Sequence, residues 1–116
     1  MVKDSRYVPK RGDAIWLNFD PQAGREQTGR RPSVVLSPAS YNTRSGLALV
    51  CPITRQSKGY PFEVSLPGGL AIEGVILADH VRSLEWHSRE AERICPLPES
   101  VLEDVTAKIA ALIDCG

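Results

Sequence analysis

Two polar segments of the chain carry residues whose types and spacing suit chemistry on a phosphate. The first, DPQAGREQTGRRP at positions 20–32, holds three arginines, two glutamines and one glutamate among its glycines. The second, TRQSKGY at positions 54–60, adds two hydroxyls, a glutamine and two cations. A guanidinium is a planar fork that matches phosphate oxygens, and hydroxyls or amides supply further donors. Because each segment follows a predicted strand, neighbouring strands would bring both to one end of a sheet as a cationic groove.

Metal-free cleavage of RNA is one reaction that such a groove would support. It uses the ribose 2′-hydroxyl as the nucleophile and needs a proton acceptor, a proton donor and donors for the charge on phosphorus. Glu26 is the one carboxylate of the two segments after Asp20, which makes it the candidate base. A metal-dependent nuclease would need two or three convergent carboxylates, which these segments lack, so we expect no metal site and no cofactor.

The two histidines are alternative proton carriers, because imidazole changes charge near neutral pH. His80 follows Asp79 at the end of a predicted strand, and we predict a structural or binding role for it ahead of a catalytic one. His87 lies in a polar stretch and is interpreted as a solvated residue. A histidine-based ribonuclease therefore stays open as a weaker alternative.

The charge is unevenly distributed along a chain whose net charge is zero. Residues 1–60 hold ten Lys and Arg against four Asp and Glu, and residues 61–116 hold four against ten. This asymmetry favours a basic face for a polyanion, although folding can intermix the two halves.

The elements that must position these segments are short strands followed by one helix. Apolar and β-branched runs bounded by Pro, Gly and polar residues predict strands. They lie at 14–19, 33–36, 47–53, 62–66, 74–78, 81–86 and 92–95. Apolar residues at helical spacing predict a helix over 99–113, with Pro98 at its start. We expect a mainly β fold, a small and strongly curved barrel, with this C-terminal α-helix packed on it.

The length of 116 residues predicts a single domain covering 1–116. The N-terminus lacks the apolar core of a signal peptide, and no apolar run approaches the roughly 20 residues of a membrane span, so we expect a cytoplasmic protein that contacts no membrane. Three cysteines without a CxxC pair favour neither a disulfide framework nor a zinc site.

Trp16 is predicted to fill the core or a dimer contact, and Tyr60 to pack rather than to stack on a base.

Three runs of the chain resemble the MazF/PemK family of toxin endoribonucleases. They are GDAIWLNFDPQAGREQTGRRPSVVLSP, CPITRQSKGYPFEV and GVILADHVRSLEW, and the resemblance extends from Tyr7 to the terminal helix. It implies an SH3-like barrel, a homodimer and metal-independent, sequence-specific cleavage of single-stranded RNA to a 2′,3′-cyclic phosphate and a 5′-hydroxyl. It also implies a cognate antitoxin whose acidic C-terminal segment covers the RNA groove.

The resemblance also implies roles for individual residues. Arg31 and Thr54 match the essential arginine and threonine of the family, and Glu26 matches a glutamate implicated beside them. Further RNA-binding positions are Gln27, Gln56, Ser57 and Lys58. Arg30 and Arg55 add cations beside Arg31 and Thr54, which would strengthen RNA binding or alter base preference.

Two other functions remain open from the sequence. One is a toxin of the same fold that acts on DNA gyrase and cuts nothing. The other is a barrel that binds RNA or a peptide without catalysis. A purely structural partner domain is a third and weaker alternative, because it does not explain two dense polar segments.

Overall fold

The computed structural model describes residues 7–19 and 29–114 of the chain. It contains seven strands, two α-helices and one 3₁₀ turn. The strands are β1 Asp13–Asn18, β2 Arg30–Val35, β3 Leu47–Thr54, β4 Glu63–Ser65, β5 Val75–Leu77, β6 Arg82–Glu85 and β7 Glu92–Pro96. The helices are α1 Ala39–Ser45 and α2 Glu99–Ile113, and the 3₁₀ turn is Ala78–His80. Within the described ranges no helix is long and apolar enough to cross a membrane.

All strand pairs of the sheet are antiparallel. The strand order is β4-β5-β3-β2-β1-β7, and β6 pairs with β3 beside that path. The mainly β fold with a C-terminal helix is therefore confirmed. The sheet is not a closed barrel, however, because β4 and β7 at its two ends do not pair with each other in the described part of the chain.

Pro52 lies where β3 changes its neighbour on one side. Residues Leu47 to Val50 pair with β6, whereas Ile53 and Thr54 pair with β5. Proline has no amide hydrogen to donate to a ladder. Its position at the change of partner lets β3 run through the middle of the sheet without a broken pair.

Buried side chains form two clusters, one on each side of the sheet. The first includes Val34, Cys51 and Ile76 and is covered by α2 through Val101, Leu102 and Val105. The second consists of Ile15, Leu17, Phe19, Val35, Ala48, Val50 and Leu84. Alternate residues of β1 and β2 enter opposite clusters, as the period of two in a strand requires. The second cluster is the side on which the candidate site lies.

Helix α1 was absent from the predicted elements. It has no apolar face, and its single buried residue is Asn42. The Asn42 amide donates to the carbonyl oxygens of Pro9 at 2.7 Å and Ser37 at 3.0 Å, and its oxygen accepts from the Ser37 hydroxyl at 2.6 Å. A polar network of this kind leaves no hydrophobic period from which a helix could be predicted.

Candidate functional site

Strands β2 and β3 place Arg31 and Thr54 opposite each other. The β2–β3 register pairs Ser33 with Pro52, and the same antiparallel alignment extended by two positions pairs Arg31 with Thr54. On its other side Arg31 is paired with Leu17 of β1, whose side chain belongs to the second cluster. Arg31 and Thr54 therefore share the face of the sheet that carries this cluster, at the point where its apolar residues end.

A pocket of about 580 Å³ opens at this point and contains both residues in its wall. Its polar and charged lining comes from five separate parts of the chain. These residues are Arg31, Thr54, Gln56, Lys58, Tyr60, Glu63, Asp79, His80 and Arg82. Its apolar lining is formed by Phe19, Pro52, Ile53 and Leu77. The described residues of the two polar segments therefore converge at one end of the sheet, as the sequence predicted.

The loop after β3 is held in shape by the carboxylate of Glu63 at the start of β4. Glu63 accepts hydrogen bonds from the backbone N–H of Lys58 at 2.9 Å, the Ser57 hydroxyl at 2.8 Å and the backbone N–H of Gly59 at 3.1 Å. These donors, the Lys58 amide first, hold the pKa of Glu63 below its ordinary value. The charge of Glu63 therefore orders the loop whose Gln56, Lys58 and Tyr60 side chains line the pocket.

Gly74, immediately before β5, supports Thr54 from behind. Its φ of +131° is a conformation that favours glycine, and a Cβ at this position would lie 2.3 Å from the Thr54 carbonyl oxygen. Val75, the next residue, pairs with Thr54 in the β3–β5 ladder. On the other side, the Thr54 hydroxyl oxygen accepts the backbone N–H of Gln56 at 3.2 Å. The end of β3 is fixed by backbone contacts, so the position of the Thr54 hydroxyl is set by the fold.

The 3₁₀ turn and the start of β6 contribute three pocket residues that the predicted site did not include. They are Asp79, His80 and Arg82. His80 ends the 3₁₀ turn, and its Nε2 lies 3.9 Å from the Asp79 carboxylate. Arg82 begins β6, and its guanidinium carbon lies 5.5 Å from the centroid of the Phe19 ring, within cation–π range. The sequence offered one signal for them, the polar pair Asp79-His80 between two apolar strands. It did not reveal that β6 pairs with the strand that ends in Thr54.

Tyr60 differs from its predicted environment, and Trp16 keeps one of its two predicted environments. The side chain of Tyr60 is 61% exposed and lines the pocket, so the prediction that it packs in the turn was wrong. Trp16 is 36% exposed on β1, opposite Pro32 of β2, which excludes a core position and leaves the dimer contact as its predicted role.

The structure separates Arg30 from Arg31. The Arg30 guanidinium donates to Asn18 at 3.0 Å, to the Glu90 carbonyl oxygen at 2.7 Å and to Glu92 at 3.3 Å, and Arg30 does not line the pocket. Neighbouring residues of a strand point to opposite faces, and both arginines belong to β2. Arg30 therefore lies in a network of protein contacts outside the pocket wall, and its predicted role in RNA binding stays a prediction.

The remaining predicted residues divide into two groups. Ser57 donates its hydroxyl to Glu63, and neither Ser57 nor the exposed Arg55 contributes to the pocket wall. Glu26 and Gln27 lie at positions 20–28, outside the residues that the structure describes. Their predicted roles as base and RNA contact therefore stay predictions.

In the described part of its wall the pocket combines three cations, Arg31, Lys58 and Arg82, with two carboxylates, one of which accepts hydrogen bonds from the loop after β3. This balance favours an anionic ligand of extended shape, and the exposed Tyr60 ring beside it suits an unpaired base. In the described ranges no group of three or more His, Cys, Asp or Glu is arranged to hold a metal ion.

Comparisons with known proteins agree with this geometry. The model of the family described as PemK-like, MazF-like toxin of type II toxin-antitoxin system matches residues 10–113. The endoribonuclease toxin MazF of Escherichia coli (strain K12) is 51% identical over 109 residues, which cover 94% of this chain and 97% of that protein. The endoribonuclease PemK of Escherichia coli is 33% identical, over 90% of this chain and 81% of that protein.

Solved structures give the same result. A crystal structure of MazF from Deinococcus radiodurans is 56% identical with a TM-score of 0.85, covering 92% of this chain and 97% of that one. A crystal structure of MazE-MazF from the same organism is 54% identical with a TM-score of 0.86 and the same coverage. The chain therefore belongs to the PemK-like, MazF-like family of toxins of type II toxin–antitoxin systems.

Proposed function

We propose that this toxin is a sequence-specific endoribonuclease that cuts single-stranded RNA, messenger RNA included. The supporting observation is that Arg31 and Thr54 line one pocket with Lys58 and Arg82, at the meeting point of β2 and β3. A guanidinium and a hydroxyl aimed at one site can both donate to the same phosphate. The relatives named as endoribonucleases support the same activity at 51% and 33% identity.

In the proposed mechanism Arg31 binds the scissile phosphate and stabilises the charge that develops on it. Thr54 donates its hydroxyl to a second phosphate oxygen, and Glu26 takes the 2′-hydroxyl proton or orients Arg31. Attack of the 2′-oxygen on phosphorus forms one P–O bond while the bond to the 5′-oxygen breaks, and Arg31 donates a proton to the departing 5′-oxygen and recovers one from Glu26, which holds the proton of the 2′-hydroxyl. The products are a 2′,3′-cyclic phosphate and a 5′-hydroxyl, and no water is consumed in this step.

The reaction is proposed to need no metal ion. Of the carboxylates in the described part of the chain two line the pocket, and Glu63 already accepts three hydrogen bonds from the loop after β3. The arginines and Thr54 then stabilise the charge that develops on the phosphate. Their donor groups are already in position before the reaction, so no free energy is spent on moving them during it.

Cleavage of a long transcript in excess EDTA tests this function. The wild type should cut at a recurrent short sequence, and the new 5′ ends should accept a phosphate from polynucleotide kinase without prior dephosphorylation. Arg31→Ala should lower the single-turnover rate by a factor of about 10²–10⁴. Arg44→Ala is the matched control, because Arg44 is an exposed arginine of α1 away from the pocket.

Equal cutting by the wild type and Arg31→Ala would remove Arg31 from the mechanism. Intact RNA with salt-sensitive binding would instead indicate a non-catalytic RNA-binding protein. Intact RNA together with inhibited DNA supercoiling would indicate a gyrase toxin.

We also propose a cytoplasmic homodimer that is neutralised by a cognate antitoxin. The partly exposed Trp16 and Leu49 offer apolar surface to a second copy. An acidic C-terminal segment of the antitoxin would complement the cations of the pocket and exclude RNA. Solved relatives include MazE-MazF crystal structures, which supports a partner of this kind. Sedimentation tests the dimer, and competition between an acidic peptide and RNA tests the shared surface.

A further inference from the structure

His80 has a position that the proposed mechanism does not use. Its side chain is 58% exposed and belongs to the wall of the pocket that contains Arg31 and Thr54. The backbone holds it there, because Ala78 of the same 3₁₀ turn is fully buried and donates its N–H to the Phe62 carbonyl oxygen at 3.0 Å. A fixed turn thus presents the imidazole to whatever fills the pocket.

The charged groups that face His80 across the pocket come from four other parts of the chain. They are Arg31 of β2, Lys58 of the loop after β3, Glu63 of β4 and Arg82 of β6. On its own turn Asp79 also lines the pocket, with its carboxylate 3.9 Å from the imidazole. Among the residues that the structure describes, the three cations and two carboxylates of the pocket wall give a formal charge of +1 when His80 is neutral and +2 when it is protonated.

Helix α2 also packs against this turn, as β3 and β4 do. It does so through apolar residues, because Val101, Leu102 and Val105 share a buried cluster with Ala78. Its charged residues are Glu99, Glu103, Asp104 and Lys108. In the described ranges Asp79 is the one carboxylate within 4.0 Å of the His80 imidazole.

We propose that His80 is a further RNA-binding residue, whose protonated imidazole contacts an RNA phosphate beside the one held by Arg31. The inference rests on the proposed function, since it takes RNA as the occupant of the pocket. An imidazole that carries its proton is a cation, so RNA should bind more tightly to the protonated form of the protein than to the neutral form.

The salt dependence of binding gives this contact a distinct signature. Each phosphate neutralised on a single strand contributes about −0.7 to the slope of log K against log salt concentration. Protonated His80 should therefore steepen the slope by about 0.7, and a partly exposed ion pair should strengthen binding about two- to fivefold at moderate salt. A residue with a merely structural role would leave this slope unchanged.

The experiment measures binding of a short 2′-O-methyl RNA that spans the mapped cut site, which lacks the nucleophile and stays intact. Affinity is measured over a range of salt concentrations at about pH 5.5 and about pH 8 for the wild type, His80→Gln and His80→Lys. His87→Gln is the matched control, because His87 packs edge-on against Trp86 with ring centroids 6.0 Å apart and does not line the pocket. Circular dichroism at both pH values verifies that each variant is folded.

The wild type and His87→Gln should show a slope steeper by about 0.7 at the lower pH. His80→Gln should keep the shallow slope and His80→Lys the steep one at both pH values. An equal pH dependence in His80→Gln and the wild type would overturn the inference while leaving the proposed function intact. An RNA that fails to bind the wild type at both pH values would overturn the proposed function itself, and this inference with it.

Discussion

Substitution of Gly74 by alanine should displace Thr54 and slow RNA cleavage without abolishing RNA binding. A Cβ at position 74 would lie 2.3 Å from the Thr54 carbonyl oxygen and 2.9 Å from its carbonyl carbon. Both atoms belong to the backbone of β3, which has no rotamer to give way. The chain must therefore move by about 0.7 Å to reach the 3.0 Å limit of real Cβ contacts.

The size of the effect follows from this displacement. A misplacement of about 1 Å at a reacting group can cost a factor of about 10² in rate, so we expect Gly74→Ala to lose a factor of roughly 10–10² in single-turnover cleavage. The positive φ of Gly74 adds a separate cost of about 1–3 kcal/mol to folding stability. RNA binding should change little, because Lys58 and Arg82 belong to other elements of the pocket wall.

Gly69→Ala is the control that separates strain from displacement. Gly69 also has a positive φ, of +88°, but nothing lies within 4 Å of the Cβ it would acquire. Cleavage rate, RNA affinity and urea unfolding are measured for both variants. A Gly74→Ala enzyme that cuts as fast as Gly69→Ala would refute the argument that Gly74 positions Thr54.

Further predictions concern single residues of the site and its surroundings. Thr54→Val should lower kcat by about 10²–10³ in single-turnover cleavage, because it removes one donor to the phosphate and keeps the shape of the side chain; a rate near that of the wild type would exclude the hydroxyl. Arg30→Ala should lower the urea midpoint through its lost hydrogen bonds to Asn18 and Glu90, yet cut RNA at a nearly normal rate. Because hydrogen bonds hold the pKa of Glu63 below its ordinary value, the order that Glu63 imposes on the loop should be complete above a pH of about 4.3 and lost as the pH falls through the lowered pKa. The protection factor of the Lys58 amide in hydrogen exchange measures this order. Glu63→Gln should remove the pH dependence of that protection factor. Burial and the nearby Asp79 raise the pKa of the Cys51 thiol to about 12, so native protein should resist alkylation at Cys51 at pH 8, whereas urea should expose it.

Most of the secondary structure was predictable because apolar residues alternate or recur where the strands and α2 lie. The residue at which β2 begins was not predictable in this way. The segment 20–31 was predicted as one loop, yet β2 already begins at Arg30. Once the pair belongs to a strand, Arg30 and Arg31 must point to opposite faces, and one of them leaves the site. Two adjacent arginines are equivalent in the sequence. Which of them faces the pocket depends on where the β2 ladder begins.

The other half of the pocket was hidden by topology. Arg82 lies 28 positions after Thr54 and reaches the same pocket because β5 and β6 both pair with β3. No local pattern encodes which strands become neighbours. Arg31 and Thr54 were found by their resemblance to a family motif, whereas His80 was predicted to have a structural or binding role and was not placed beside them.

A double-substitution cycle in single-turnover cleavage tests most directly whether Arg31 and Thr54 act on one phosphate. Rates are measured in EDTA for the wild type, Arg31→Ala, Thr54→Val and the double variant. Two groups that act as a unit are strongly non-additive, so the account predicts a double variant little slower than the slower single one. Losses that multiply in full would show two independent contributions and contradict the account.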